Sequence, residues 1–262
     1  MTGAAATGGP RVGFLVTCLV DTFYPRVGMA AAAVLEHLGC RVVFPEGQTC
    51  CGQPFYTAGL PDEARALLLR LPDLFPEVDH VVSPSGSCAS LIRLHARHLC
   101  TRGTEVEKRL LSLAERTWEF TAFLRDVLGV TPKSLGLSPE EKGEGEITYH
   151  YPCHLRGLLD AESARSTCLD WVQGARVALD RFDQCCGFGG VFSVESPEIS
   201  QAMLEDKLGC LQRSGARTLV CNEGGCALQI GGGLNRAGRP VRIAHVAELI
   251  AERLGVAPER GE

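Results

Sequence analysis

The sequence predicts an α/β protein of two pseudo-symmetric repeats, each a parallel-sheet, Rossmann-like domain. The first observation is that one cysteine motif occurs twice, with every position displaced by the same distance (153 − 18 = 135 residues). Its members are Cys18, Cys50, Cys51 and Gly52 in the first half, and Cys153, Cys185, Cys186 and Gly187 in the second. The second observation is that strand-like and helix-like segments alternate in the same order in both halves, which favours βαβ units and a parallel sheet.

A last cysteine element closes the motif in each half. Residues 85–89 (SGSCA) align with residues 223–227 (EGGCA), and this pair is displaced by three residues more (226 − 88 = 138). The motif therefore ends at Cys88 in the first half and at Cys226 in the second. The second half carries a three-residue insertion between its double cysteine and its last cysteine.

The elements of the first half follow from hydrophobic periodicity and from glycines that end helices. In chain order they are a β-rich run at 12–18, a helix at 26–38 ended by Gly39, a strand at 41–45, a helix at 61–75 and a strand at 80–83. A further helix and an amphipathic segment close this half near residue 127. Every repeated cysteine lies just past the end of a predicted strand or of the short loop that follows one.

The second half repeats this order. Its elements are a β-rich run at 147–153, a helix at about 162–173 ended by Gly174, a strand at 176–180, a helix at 197–213 and a strand at 217–220. Residues 241–246 form one more strand-like stretch. Between the halves, residues 131–146 are rich in Pro, Gly, Glu and Lys, which is typical of a linker. We expect a first domain at 10–130, a linker at 131–146 and a second domain at 147–255.

Composition narrows the class of protein. With 26 Lys+Arg against 31 Asp+Glu the formal net charge is −5, so no nucleic-acid partner is expected. The longest uncharged apolar stretch, residues 27–35, is far shorter than the ~20 residues of a membrane span. The first residues lack the features of a secretory signal, so we expect a cytoplasmic protein with reduced thiols. Thirteen cysteines in 262 residues then indicate metal or redox chemistry rather than a disulfide scaffold.

The predicted layout brings four thiols per half to one rim, because ligands of a parallel α/β sheet bind beyond the carboxyl ends of its strands. Four convergent thiolates suit an iron–sulfur cluster or a structural zinc. Neither half has the C-x-x-C hairpins of a zinc ribbon, and adjacent cysteines suit a cluster with several metal atoms, so an iron–sulfur cluster is favoured. The alternative is that these cysteines are small buried hydrophobic residues of a duplicated fold.

The motifs also carry a family resemblance. The phrases at 83–88 (SPSGSC), 151–155 (YPCHL) and 185–190 (CCGFGG) resemble the CCG domain of the heterodisulfide reductase B subunit and of glycolate oxidase iron–sulfur subunits. Two motifs over residues 10–255, without a ferredoxin-like segment, most closely resemble the lactate-utilisation protein A family. The resemblance implies an iron–sulfur electron-transfer subunit that acts with companion iron–sulfur and lactate-utilisation subunits. Together they would oxidise L-lactate, or a similar 2-hydroxy acid, to pyruvate or its counterpart.

The chain departs from the heterodisulfide reductase motif at one position in each half. Each motif of heterodisulfide reductase supplies five cysteines, whereas here the fifth position is Ser85 in one half and Glu223 in the other. A 4Fe-4S cluster on four cysteines in each half is then the simpler expectation, or a cluster with an oxygen ligand. Cys221 is a candidate replacement ligand. The alternatives are a heterodisulfide-reductase-like thiol–disulfide reductase subunit and a non-redox zinc scaffold.

The other cysteines and histidines receive weaker interpretations. Four cysteines without repeat partners are expected to be buried structural residues: Cys40, Cys100, Cys168 and Cys210. His154 follows a repeated cysteine, where it could either donate a hydrogen bond to a cluster or be a polar surface residue. His245 is expected to be structural. No catalytic residue is assigned, because no Ser-His-Asp or paired-carboxylate motif is present in the sequence.

Overall fold

Two four-stranded parallel sheets form the framework of the protein. The computed structural model describes residues 8–100, 103–138 and 145–259. The strands are β1 (Arg11–Phe14), β2 (Arg41–Val43), β3 (His80–Ser83), β4 (Thr117–Glu119), β5 (Glu146–Tyr149), β6 (Ala175–Arg176), β7 (Thr218–Cys221) and β8 (Arg242–His245). The orders are β2-β1-β3-β4 and β6-β5-β7-β8, and every pairing is parallel. The identical orders confirm the predicted α/β fold with two repeats.

Helices connect consecutive strands in both repeats. The first repeat contains α1 (Cys18–Phe23), α2 (Pro25–His37), α3 (Gln53–Thr57), α4 (Pro61–Leu68), α5 (Leu71–Leu74), α6 (Gly86–Ser90), α7 (Ala96–Leu99), α8 (Glu105–Glu115) and α9 (Phe120–Ala122). The second contains α10 (Ala161–Asp170), α11 (Phe192–Glu195), α12 (Pro197–Ser214), α13 (Gly224–Arg236) and α14 (Val246–Leu254). Single π turns follow α6 and α9, at Leu91–His95 and Phe123–Val127. Short 3-10 turns lie at Lys133–Leu135 and Cys153–Leu155.

The structure shifts several predicted boundaries. The strands predicted at 12–18 and 147–153 end at Phe14 and Tyr149, before the first cysteine of each motif. That cysteine instead opens a helical turn. The helix predicted at 61–75 is interrupted after Leu68, because Pro72 has no N–H to continue the hydrogen bonds. Strand β4 was not predicted, since three residues are too few for a periodic pattern.

The three inserted residues of the second repeat can be placed. The displacement between repeats is 135 residues at the double cysteine and 136 at the prolines that open α4 and α12 (197 − 61 = 136). It reaches 138 at β3 and β7 (218 − 80 = 138). One residue is therefore added before the helix. The buried pair Phe75 and Leu211 keeps the displacement of 136 (211 − 75 = 136), so the other two are added between Leu211 and β7.

One hydrophobic core crosses between the repeats. It joins residues of β1 and α2 to residues of β5 and α14, whereas two smaller cores each belong to one repeat. Helix α2 presents Ala30 and Ala31, both fully buried, and α14 presents Ala247 and Ala251 in the same core. Small side chains allow two helices to approach closely. The two repeats are therefore packed together rather than only tethered by the intervening chain.

Buried polar contacts also join the repeats. The Asn222 side chain accepts a hydrogen bond from the Tyr149 hydroxyl at 3.0 Å and donates one to Glu119 of the first repeat at 3.2 Å. His245 Nε2 lies 3.1 Å from the carbonyl oxygen of Pro84. Because buried polar groups are costly without partners, these contacts fix one relative position of the repeats.

The predicted linker is only partly described. Residues 139–144 of the 131–146 segment lie outside the described residues, so the domain boundaries at 10–130 and 147–255 stay predictions. Over residues 8–100, 103–138 and 145–259, no helix has the length and apolar character needed to cross a membrane.

Candidate metal centres

The structure brings the four repeated cysteines of each half together. All thirteen cysteines lie within the described ranges, and none of them forms a disulfide. The repeated cysteines fall into two groups, which we call the first set (Cys18, Cys50, Cys51, Cys88) and the second set (Cys153, Cys185, Cys186, Cys226). In each set the first two cysteines are half-buried and the last two are buried. The burial pattern thus repeats together with the sequence.

Sulfur–sulfur contacts run through each set. In the first set the Cys51 and Cys88 sulfurs are 3.0 Å apart, and the Cys50 thiol contacts those of Cys18 and Cys51. In the second set the Sγ distances are 3.8 Å for Cys153–Cys185 and 3.3 Å for Cys186–Cys226. Each set is therefore one continuous group of four sulfur atoms.

A glycine makes this convergence possible. Adjacent side chains of an extended strand point to opposite faces, so the double cysteine needs a turn in the backbone. Gly52 and Gly187 supply it, with φ of +100° and +85°, a region that favours glycine. Their N–H groups lie 3.4 Å from the sulfurs of Cys50 and Cys185, respectively.

The electrostatics of the thiols also repeat. Hydrogen bonds from neighbouring thiols and from a backbone N–H hold the pKa of Cys50 and of Cys185 well below the ordinary value. The same contacts, with burial, raise the pKa of Cys51 and of Cys186. Each set therefore holds one thiolate readily but resists further negative charge. A bound cation would relieve this repulsion, as metals do for their thiolate ligands.

Both sets open into one cavity between the repeats. The cavity has a volume of about 780 Å³ and is lined by all eight repeated cysteines. Its other walls include apolar side chains of both repeats: Leu19, Val20, Phe23, Phe188, Phe192 and Val194. Helix α1, which begins at Cys18, packs on α13, which carries Cys226. Reciprocally, the turn that begins at Cys153 packs on α6, which carries Cys88. The two sets thus face a common space.

The residues at the fifth motif position bind each other. Ser85 Oγ lies 3.0 and 3.2 Å from the two carboxylate oxygens of Glu223, and both side chains are buried. The backbone N–H of Ser87 donates to the same carboxylate at 2.8 Å. Each side chain also caps its own helix, since Cys88 N donates to Ser85 and Gly225 N donates to Glu223. With these bonds made, the fifth positions join the repeats and leave four sulfur donors in each set.

Among the described residues, the remaining cysteines make none of the sulfur–sulfur hydrogen-bond contacts that run through the two sets. The Cys221 thiol is buried and directed at the carbonyl oxygen of Glu223, at 3.8 Å. Its pKa is raised, chiefly by burial. Four others pack within or against the hydrophobic cores: Cys40, Cys100, Cys168 and Cys210. Their packing agrees with the structural interpretation drawn from the sequence.

A histidine that the sequence analysis missed lies beside the second set. One ring nitrogen of His150 and the sulfurs of Cys186 and Cys226 all lie within 4.8 Å of one another. The side chain is fully buried, and neither ring nitrogen has a hydrogen-bond partner among the described residues. Burial and nearby Lys207 lower its pKa to about 3. An unpartnered buried polar group costs about 1–3 kcal/mol, so this position needs an explanation. His154, singled out from the sequence, lines the cavity instead.

Comparison with known proteins supports the duplicated fold. A family profile described as "Cysteine-rich domain", or CCG, matches residues 12–93 and again residues 147–231. Lactate utilization protein A of Geobacillus kaustophilus is 41% identical over 244 residues, covering 93% of this chain and 99% of that protein. The proteins of the same name from Anoxybacillus flavithermus and Bacillus velezensis are each 40% identical, covering 93% of this chain and 100% of theirs.

Fold, site and comparisons together define a duplicated cysteine-rich domain protein, in which two CCG domains present paired sets of four thiols. Within that class, the identity to the curated relatives extends over nearly the whole chain. The chain belongs to the lactate utilization protein A family. This confirms the resemblance drawn from its motifs.

Proposed function

We propose that this chain is the iron–sulfur electron-transfer subunit of a complex that oxidises L-lactate, or a similar 2-hydroxy acid, to pyruvate or its counterpart. The observation that carries the proposal is the convergence of four sulfur atoms in each repeat upon one shared cavity. The printed names of the relatives supply the link to lactate utilization. Companion iron–sulfur and lactate-utilisation subunits are part of this proposal.

The residues fit a 4Fe-4S cluster in each repeat. The donors are soft thiolates, which such clusters prefer, and each set offers the four that one cluster needs. The ligands would be Cys18, Cys50, Cys51 and Cys88 in the first repeat, and Cys153, Cys185, Cys186 and Cys226 in the second. Ser85 and Glu223 are occupied with each other, which favours clusters held by cysteine alone.

The chain's own residues provide binding and insulation. When bound, such clusters supply one-electron transfer, whereas oxidation of a 2-hydroxy acid removes two electrons and needs an acceptor such as a flavin. We therefore place the chemistry of the hydroxy acid on a companion subunit. In this chain, the backbone N–H groups of Gly52 and Gly187 donate to ligand sulfurs, and the apolar cavity walls restrict access of water.

Metal analysis after anaerobic purification tests the proposal. We expect iron and acid-labile sulfide in equal amounts, and an electron paramagnetic resonance (EPR) signal that develops on reduction. Stoichiometric zinc without iron would instead support a structural scaffold. Protein that stays colourless and iron-free after reconstitution would exclude an electron-transfer role. A signal altered by added thiol or disulfide substrate would favour the heterodisulfide-reductase-like alternative.

A further inference from the structure

The surroundings of the two cysteine sets differ at one position next to the sulfurs. His150 and Leu15 occupy equivalent places, because each directly follows the first strand of its repeat (150 − 135 = 15). Their backbone N–H groups make equivalent bonds, to Val220 O at 3.0 Å and to Val82 O at 2.9 Å. The second repeat therefore places an imidazole where the first places an aliphatic side chain.

A second difference lies on the helix that follows the double cysteine. Lys207 of α12 corresponds to Leu71 of the first repeat, by the displacement of the two helix-opening prolines (207 − 136 = 71). Both side chains are buried, and Lys207 Nζ donates to the carbonyl oxygen of Arg181 at 2.7 Å. Polar groups near the second set are thus matched by leucines near the first.

The unpartnered ring of His150 points to a ligand. A fully buried imidazole with both nitrogens unbonded is rare among native side chains, which almost always find a partner. The atoms close to the ring that could accept its N–H include the sulfurs of Cys186 and Cys226, within 4.8 Å, and the backbone carbonyl of Phe182. Sulfides and thiolates of an iron–sulfur cluster accept such hydrogen bonds, and those bonds help to set the cluster's reduction potential.

We propose that His150 donates a hydrogen bond to the iron–sulfur cluster of the second repeat and gives that cluster a higher reduction potential than the cluster of the first. This inference rests on the proposed function. Reduction adds negative charge to a cluster, and an N–H donor stabilises added negative charge. Lys207 acts in the same direction as a nearby cationic group. Leu15 and Leu71 offer no such stabilisation, so the two sites are electronically unequal although their ligands are alike.

A redox titration followed by EPR spectroscopy tests the proposal on the anaerobically purified full-length protein. Dithionite serves as the reductant, and we expect two components of which one is reduced first. Full-length Cys51→Ser and Cys186→Ser proteins assign the components, since each variant keeps one set intact. The component that survives in Cys51→Ser should be the one with the higher potential. Equal potentials, or the reverse order, would overturn the proposal.

Replacing His150 isolates its effect. His150→Leu copies the first repeat, and we expect the reduced-to-oxidised ratio of the second component to fall about tenfold at fixed potential, about 59 mV for one electron. His150→Gln keeps an N–H donor and should restore part of this loss. His37→Leu makes the same chemical change at an exposed end of α2 and should change nothing. Unchanged potentials in His150→Leu protein that retains its iron would refute the role of His150.

A readout independent of potential separates this role from a purely structural one. In protein labelled with nitrogen-15 histidine, pulsed EPR of the second component should show a weak histidine nitrogen coupling. That coupling should vanish in His150→Leu and persist in His37→Leu. A strong coupling, typical of direct bonding to iron, would make His150 a ligand and contradict the proposal. Loss of iron and sulfide from the unmodified protein would instead contradict the proposed function, so the two failures are distinguishable.

Discussion

At the scale of single residues, the glycine after each double cysteine decides whether adjacent thiols can meet. Gly52 and Gly187 have positive φ, and they lie against the backbones of α4 and α12, respectively. A Cβ at Gly52 would lie 2.9 Å from the carbonyl oxygen of Ala64, and one at Gly187 would lie 2.6 Å from that of Ser200. Both positions therefore exclude any side chain, first because of the positive φ and second because a Cβ would clash with neighbouring backbone.

We expect Gly52→Ala and Gly187→Ala each to reduce bound iron by about half, because each distorts the turn in one repeat. Each substitution should also destabilise the protein by about 1–3 kcal/mol, the usual cost of a strained backbone. Iron content per chain and urea denaturation measure the two effects.

Gly59→Ala is the matched control. Gly59 also has a positive φ, of +76°, but nothing lies within 4 Å of its added Cβ. It should show a smaller loss of stability and full iron content. Equal iron loss in Gly59→Ala would contradict a specific role for the double-cysteine turns.

His150 lies beside the second set, although its local sequence does not indicate this position. The sequence pointed to His154, because it adjoins Cys153, but the buried ring beside the second set belongs to His150. Local pattern could not show which histidine faces inward. A position-by-position comparison of the repeats could have found it, since a histidine opposite Leu15 is a polar exception in an apolar position.

At the scale of elements, the side chains that begin helices also connect the repeats. Ser85 caps α6, Glu223 caps α13, and the two caps bind each other across the repeat boundary. The residues that replace the fifth cysteines therefore have a structural task. The bond joins positions 138 residues apart (223 − 85 = 138), which no local sequence pattern could reveal.

We expect Glu223→Ala to lower the free energy of unfolding by about 2–3 kcal/mol, because it leaves buried donors without their charged acceptor. Iron content should not change, since Glu223 is not a ligand. Chemical denaturation and iron analysis test both parts.

Ser85→Ala provides the control for this contact. Ser85→Ala alone should lower the free energy of unfolding by less than Glu223→Ala does. The double variant should lose less than the sum of the two single losses. Loss of iron in Glu223→Ala protein that remains folded would show that the carboxylate is a ligand after all.

The stability that His245 contributes at the start of α14 depends on pH. Its Nδ1 accepts a hydrogen bond from Ala247 N and its Nε2 faces Pro84 O, so the bonds require the neutral ring. Burial lowers its pKa to about 4. The unfolded chain binds a proton below about pH 6.5, so the stability from His245 is present above that pH and lost as pH falls toward 4.

We expect the His245 contribution to decline by up to about 3 kcal/mol between pH 6.5 and pH 4, as its pKa shift requires. Urea denaturation of the metal-free, reduced protein at several pH values measures it. His245→Gln retains a donor and an acceptor without titrating, so the difference between the two proteins isolates His245. A pH-independent difference would contradict this assignment.

At the scale of the whole molecule, the duplicated motif predicted the architecture well. The repeat, the parallel sheets and the gathering of cysteines beyond strand ends follow from spacing and alternation alone. What escaped prediction depends on tertiary contact. The sequence did not reveal β4, the core shared by α2 and α14, or the reciprocal packing of α1 and α13.

This packing has a functional consequence under the proposed function. Because each repeat contributes one wall of the cavity, the two cysteine sets face a common space. A single domain would leave its sulfurs against open solvent on that side. Duplication therefore places two equivalent sets in one protected site, where small differences such as His150 make them unequal.

The most direct test of the central claim is the iron content of four anaerobically prepared proteins. The unmodified chain should hold about eight iron atoms, four for each of two clusters, and Cys51→Ser and Cys186→Ser should each hold about half. Cys100→Ser, which lies outside both sets, should retain the full amount. Full iron in either set variant, or iron-free unmodified protein after reconstitution, would contradict the account.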